Sequence, residues 1–144
     1  MHNQEETLVL IEQLAEVIDE RKKGYQKASD KITDPYLKEL FKAHSNHCEI
    51  LKSEMAKLSD SWESHPPHDE LKWKYWFEMK HALKSSSRDE LLSACIQGEQ
   101  RSISLYLELI HDPDLSSNLK GIITKQFHDI KSACDLLKIF KICL

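Results

Sequence analysis

The tetrapeptide Asp-Pro-x-Leu occurs twice in this chain, at residues 34–37 and 112–115, and each copy interrupts a long helical pattern. Elsewhere apolar residues recur at the helical period, and the chain has only three glycines and four prolines. Proline removes a backbone donor and disfavours helical conformation in the residue before it. Each copy therefore predicts a tight turn between two helices. The first copy also predicts Asp34 as an N-cap and Pro35 as the first helical residue.

The order of the predicted helices indicates two helical hairpins joined by one long crossover. We expect a first helix over residues 5–32, a second ending near residue 60, and two more after a cap at a serine or Asp89. The crossover, about 61–88, contains Pro66 and Pro67 and then a short helix over 69–83. This order is that of a ferritin-like four-helix bundle. We predict an all-α fold and a single domain over residues 1–144.

Charge and hydropathy exclude several classes of partner. The net charge is −4 and no basic cluster occurs, so we expect neither nucleic acid nor an anionic membrane surface as a partner. No stretch approaches the roughly 20 apolar residues of a membrane span. The first ten residues are acidic and polar where a signal peptide would be basic and then apolar. We therefore expect a soluble, cytoplasmic protein.

The four cysteines do not form a metal or redox motif, because no two of them are arranged as Cys-x-x-Cys. Cys48, Cys95 and Cys134 each fall within a helical pattern, so we expect them to be reduced core residues. Cys143 is expected to be exposed. No serine or cysteine lies in a recognisable nucleophile motif and no glycine-rich phosphate loop occurs, so no catalytic residue is predicted.

The four long helices become polar at about the same height in the predicted bundle. The residues of this predicted polar layer are Arg21, Lys22, His44, His47, Glu99 and Gln126. Burying polar groups costs free energy unless they are paired, so we expect these side chains to meet.

Two interpretations of this layer stay open. In the first, Lys22 or Arg21 pairs with Glu99 across the bundle, which is a structural role without a cofactor. In the second, a divalent metal such as Zn, Fe or Mn binds His44, His47 and Glu99, with Cys48 as a further candidate ligand. A di-iron centre is not expected, since none of His44, His47 and His128 has a glutamate three residues before it and the first helix offers cations. A second histidine pair, at residues 65 and 68, flanks two prolines on a loop, and we expect no metal there.

The sequence resembles a bacterial family of uncharacterised ferritin-like bundle proteins, grouped as a domain of unknown function. The resemblance covers residues 8–140 and rests on LIEQL, Gly24-Tyr25, TDPYLKELF, MKHAL, GEQRSISLYLE and KQFHDIKSACDLL. It implies a bundle with a helical crossover, and a kinship to ferritins and rubrerythrins that need not include the metal. Members commonly carry a glutamate just before the Gly-Tyr pair and a histidine near the end of the last helix. Here Lys22 and Cys134 occupy those positions, which disfavours metal chemistry.

Together these observations predict a non-enzymatic structural or protein-interaction bundle, with a stress-associated role as a further expectation. We expect its partner to be protein, either another copy of itself in a homo-oligomer or a different protein, met through the aromatic residues 73–77 of the crossover. The alternative is a metal-binding protein or oxidoreductase centred on His44, His47 and Glu99.

Overall fold

The computed structural model describes residues 4–57 and 72–143, together with the side chains of residues 7–57 and 72–143. The described residues form helices and contain no β-strand, which confirms the prediction of an all-α fold. In chain order the helices are α1 (Gln4–Lys31), α2 (Pro35–Ala56), α3 (Glu78–Ser85), α4 (Arg88–Ile110) and α5 (Ser117–Cys143). No helix in this part of the chain is both long and apolar enough to cross a bilayer.

The first hairpin, α1 and α2, turns where the sequence predicts. Asp34 has extended backbone angles, and its carboxylate accepts hydrogen bonds from the backbone N–H groups of Tyr36 and Leu37. Pro35 occupies the first turn, where no backbone donor is needed. The prediction of Asp34 as an N-cap is therefore confirmed.

The second hairpin, α4 and α5, uses a wider turn. Ser87 caps α4 by accepting a hydrogen bond from the backbone N–H of Glu90, as the sequence predicted for a serine. Asp112 is buried in the turn, where it accepts hydrogen bonds from the backbone N–H of Asp114 and from the hydroxyl of Thr7, the latter at 2.6 Å. The second Asp-Pro copy therefore ties the turn to the start of α1 and does not cap α5, which begins at Ser117.

The short crossover helix is shifted relative to the prediction of residues 69–83. It spans Glu78–Ser85, residues 72–77 before it are not helical, and residues 69–71 lie outside the described part of the chain. The reason is a tertiary contact: the backbone N–H groups of Tyr75 and Trp76 donate to the Glu20 carboxylate at 2.9 and 3.0 Å. Among the described residues α2 ends at Ala56. The predicted end of the second helix, near residue 60, lies outside the described part of the chain.

Two apolar clusters fill the interior. One contains Leu14, Leu51 and Leu109 from the first half of α1 and the second halves of α2 and α4. The other contains Tyr25, Phe41 and Leu92 from the opposite halves of the same helices, and Trp76 from the crossover. Cys48, Cys95 and Cys134 are buried reduced thiols and Cys143 is exposed, which confirms the expectation for the cysteines.

Trp76 is inserted between α1 and α4. Its side chain has no exposed surface, and its indole N–H donates to the Ser102 hydroxyl at 3.4 Å. A Cβ atom built on Gly24 would lie 2.7 Å from the indole, and one built on Gly98 would lie 2.2 Å from it. These glycines sit in helix interiors, where glycine is unfavourable, because only a bare backbone leaves space for the ring.

We predict that Gly98→Ala lowers the free energy of unfolding by about 1–3 kcal/mol, because the indole ring cannot move aside without disturbing the core. The matched control is Gly121→Ala, since a Cβ at Gly121 in α5 would meet nothing within 4 Å. That variant should be more stable than the wild type by up to about 1 kcal/mol through helix propensity. Urea unfolding measures both, and equal effects of the two substitutions would contradict the packing described for Trp76.

Candidate functional site

A bidentate ion pair lies between the two apolar clusters. Arg21 of α1 donates from Nε to Glu99 Oε1 at 2.7 Å and from Nη2 to Glu99 Oε2 at 3.1 Å. Both side chains have 0% exposed surface. The planar guanidinium matches the two carboxylate oxygens, which is the strongest geometry for such a pair.

The remaining polar groups around this pair complete its hydrogen bonding. The Tyr25 hydroxyl donates to Glu99 Oε2 at 2.9 Å. Arg21 Nη1 donates to the His44 carbonyl at 3.4 Å and to Cys48 Sγ at 3.1 Å. Two buried charges are stable only when their other donors and acceptors are also satisfied, and these contacts provide that.

Burial and the ion pair together set the protonation states here. Burial alone would lower the pKa of Arg21, but the Glu99 carboxylate, with Cys48 and Tyr25, outweighs it and holds that pKa above its ordinary value. Burial, reinforced by the charge of Glu99, raises the pKa of Tyr25. Burial also raises the pKa of the Cys48 thiol, although Arg21 opposes this. Tyr25 is therefore a neutral hydroxyl donor and Cys48 a protonated thiol at neutral pH, neither of them activated as a nucleophile.

Lys22 does not belong to the buried layer, contrary to the sequence prediction. Its amine pairs with Glu49 of α2, and the two side chains are 34% and 57% exposed. Successive residues on a helix point about 100° apart, so α1 can direct only one of these two cations toward α4. Arg21 takes that position in the structure, on the same face of α1 as the fully buried Ile18 and Tyr25.

Gln126 forms a second buried polar contact, between α5, α4 and α2. Its amide oxygen accepts the Tyr106 hydroxyl at 2.7 Å. Its amide nitrogen donates to the Leu51 carbonyl and to Glu54 Oε1, each at 3.2 Å. These hydrogen bonds satisfy Gln126 without the Arg21–Glu99 pair, so Gln126 and the ion pair form two separate polar groups.

The two histidines of α2 have different surroundings. His44 is half-buried, and its Nε2 is shielded from solvent and has no hydrogen-bond partner among the described residues. Burial, with smaller contributions from Arg21 and His47, lowers its pKa from 6.5 to about 4. His47 Nε2 lies 3.7 Å from Asp129 Oδ2, and burial followed by Arg21 lowers its pKa as well.

The proposed metal ligands do not form a preassembled site. Both oxygens of Glu99 are engaged by Arg21, and His47 is turned toward Asp129. Within residues 4–57 and 72–143, no three His, Cys, Asp or Glu side chains converge on a position that could hold a metal ion. The histidines at positions 65 and 68 lie outside the described residues.

Glu20 and Tyr25 are site residues whose roles the sequence patterns did not reveal. The Glu20 carboxylate accepts hydrogen bonds from two backbone N–H groups of the crossover. Tyr25 contacts both the ion pair and Trp76, and the centroids of the tyrosine and tryptophan rings lie 5.1 Å apart. The available signal was glycine in the interior of two helices, at Gly24 and Gly98, which indicates a close approach by another group.

The family model described as a domain of unknown function (DUF2383) matches residues 6–112. This match covers α1 to α4 and the turn at Asp112, and it confirms the prediction of a family of unknown function. No curated protein and no solved structure matches the chain.

Removing either partner of the ion pair should be strongly destabilising. We expect Arg21→Met and Glu99→Leu each to lower the free energy of unfolding by about 3–5 kcal/mol, because each leaves an uncompensated buried charge. Lys22→Met, next to Arg21 but paired on the surface, is the control and should change stability by less than about 1 kcal/mol. Chemical denaturation measures all three, and a larger effect of Lys22→Met than of Arg21→Met would contradict the assignment.

The lowered pKa of His44 predicts a pH dependence of stability. As the pH falls below 6.5, the unfolded chain binds a proton at this residue that the folded chain does not bind until about pH 4. Stability is therefore lost over this interval, by on the order of 2–3 kcal/mol. His44→Leu should reduce the loss, whereas His81→Leu, at an exposed histidine, should not. Urea unfolding at pH 4 to 7 tests this, and equal pH dependence of wild type and His44→Leu would contradict it.

Proposed function

We propose that this chain, which belongs to the DUF2383 family of unknown function, is a non-enzymatic protein that acts by associating with protein chains. In this proposal the buried polar groups fix the arrangement of the helices. The surface of the bundle then provides the contacts with partners.

The observation that carries the proposal is that both carboxylate oxygens of Glu99 are hydrogen-bonded to Arg21. A carboxylate at the centre of a helical bundle can bind a metal ion or transfer a proton only if its oxygens are accessible. Both oxygens of Glu99 accept hydrogen bonds from Arg21, and Oε2 also accepts from Tyr25. A fixed guanidinium at this position would also repel a divalent cation. This arrangement supports a structural role for the layer.

The proposal extends to fold family and location. The long connection between the hairpins supports a ferritin-like arrangement, which we propose without the metal chemistry of ferritins. The three buried reduced cysteines support a cytoplasmic location, because thiols remain reduced there.

A second candidate, a metal-binding protein or oxidoreductase that uses His44, His47 and Glu99, is favoured by one observation. His44 Nε2 has no hydrogen-bond partner among the described residues, and the imidazole is neutral at pH 7, which is the form that binds metals. In this alternative Arg21 has to release Glu99, or the metal has to bind the histidines without a carboxylate.

Elemental analysis separates the two candidates. Protein purified without a histidine tag or chelator should contain well under 0.1 equivalent of Fe, Mn or Zn, and EDTA should leave its melting temperature unchanged. His44→Leu is the matched variant. Near-stoichiometric metal that is lost in His44→Leu, with a wild-type melting temperature lowered by EDTA, would overturn the proposal in favour of the second candidate.

A further inference from the structure

The crossover is basic, although the chain as a whole carries a net charge of −4. Of the 17 residues 72–88, five are Lys or Arg and one, Glu78, is acidic. Arg101 neutralises Glu78, with N–O distances of 2.5 and 2.6 Å. The cations are spaced along the segment, so their grouping depends on which of them the fold places on one surface.

The exposed face of α3 carries two of these lysines and an aromatic ring. Met79 and Ala82 are 0% and 3% exposed and define the buried side of the helix. Lys80 and Lys84 are exposed. Phe77, which is 48% exposed, has helical backbone angles (φ −67°, ψ −23°) and so extends the helix by one residue. At about 100° per residue, Phe77, Lys80 and Lys84 fall within about 60° of one another, on the side away from the core.

The adjoining face of α1 carries two more lysines. The crossover lies on this face, because Glu20 accepts hydrogen bonds from its backbone and Gly24 leaves space for the ring of Trp76. Lys27 and Lys31 follow Gly24 by three and seven residues, so they continue the same face toward the end of α1. Both lysines are exposed.

The short helix α3 lies beside this end of α1. The two helices are in contact, and the apolar cluster that buries Met79 and Ala82 of α3 also contains Tyr25 and Ala28 of α1. The lysines of both helices therefore belong to one surface. We call it the basic face, and its residues are Lys27, Lys31, Phe77, Lys80 and Lys84.

The chain itself does not neutralise the basic face. Among the described residues, no carboxylate lies within ion-pair distance of its four lysines. Asp30, although close in sequence, lines a pocket on the other side of α1, between α1 and α2. The helix dipole favours a cation in the last turn of a helix, which accounts for Lys31 in α1 and Lys84 in α3. It does not account for Lys27 and Lys80, which lie one turn earlier.

The chemistry of the basic face fits an acidic partner. Like charges held together repel one another, and an anionic surface that meets them is attracted and oriented. Phe77 adds an apolar contact: the Arg101 guanidinium lies 3.8 Å from the centroid of its ring, and the ring is still half exposed. Aromatic side chains at such positions contribute strongly to protein interfaces.

Two other anionic partners fit less well. The net charge of −4 disfavours a long nucleic acid, which would meet the acidic remainder of the chain. A membrane surface requires several apolar side chains that enter the lipid, and the basic face has one. We propose that the basic face binds an acidic segment of another protein, with an apolar side chain of that segment against Phe77. This inference rests on the proposed function and specifies the partner.

Fluorescence anisotropy with the full chain tests the proposal. The probes are labelled helical peptides that share a central leucine and differ in the number of glutamates on one face. Affinity should rise with the number of glutamates and fall as salt is added. The double variant Lys80→Glu/Lys84→Glu should bind the most acidic peptide at least tenfold more weakly, because attraction becomes repulsion.

The matched control reverses two exposed lysines at the opposite end of the bundle, Lys57→Glu/Lys120→Glu. This variant has the same net charge as Lys80→Glu/Lys84→Glu, and its affinity should stay within about twofold of the wild type. Melting temperatures close to that of the wild type would show that both variants are folded. Phe77→Ser should weaken binding at least threefold and leave the salt dependence unchanged, which separates the apolar contact from the charges.

Several outcomes would overturn the proposal. One is a wild-type chain that binds none of the peptides, and another is binding that Lys80→Glu/Lys84→Glu and its control weaken equally. Tighter binding of an oligonucleotide, or of vesicles with anionic lipid, through the same lysines would replace the proposed partner with that one. Each of these results leaves the proposed function to be decided by the metal analysis. Conversely, a stoichiometric metal would overturn the proposed function without changing the affinity for the peptides.

Discussion

The contact between Arg21 and Glu99 fixes how α1 faces α4. Two opposite charges removed from water must meet with correct geometry, so a rotation of either helix by one residue, or a shift by one turn, would leave both unpaired. Neighbouring contacts follow from this register. Tyr25, one turn after Arg21, reaches the same carboxylate, and its ring lies 5.1 Å from that of Trp76. The indole then fits between Gly24 and Gly98.

The crossover depends on the same register, and this explains why its aromatic residues mostly face inward. Glu20 binds the backbone of residues 75 and 76 immediately before Arg21 enters the core. Arg101 accounts for a further part of the crossover, since its guanidinium pairs with Glu78 and lies 3.8 Å from the centroid of the Phe77 ring. The aromatic segment 73–77 is therefore largely used to join the two hairpins, although Phe77 remains 48% exposed. Among the described residues, large apolar side chains are exposed on each of the four long helices and at Phe77 of the crossover.

Local signals in the sequence predicted the four long helices and the polar positions at Arg21, Glu99 and Gln126 that are buried in the structure, but not which cation pairs with Glu99. Asp34 and Pro35 mark their turn by chemistry that acts over three residues, so the start of α2 was predictable. Arg21 and Lys22 are adjacent cations on one helix, and apolar periodicity could not decide which of them faces Glu99. The start of α3 was mispredicted because it depends on a hydrogen bond from the backbone of Tyr75 to Glu20, 55 residues earlier in the chain. Contacts of that kind leave little trace in a single sequence.

The most direct test of a structural role for the ion pair is the stability of the double variant Arg21→Met/Glu99→Leu, measured by chemical denaturation together with the two single variants. If the pair serves only to satisfy two buried charges, replacing both by apolar side chains should restore the free energy of unfolding to within about 1–2 kcal/mol of the wild type. A double variant that loses about the sum of the two single losses would contradict this. Glu99 would then have a role that does not depend on Arg21.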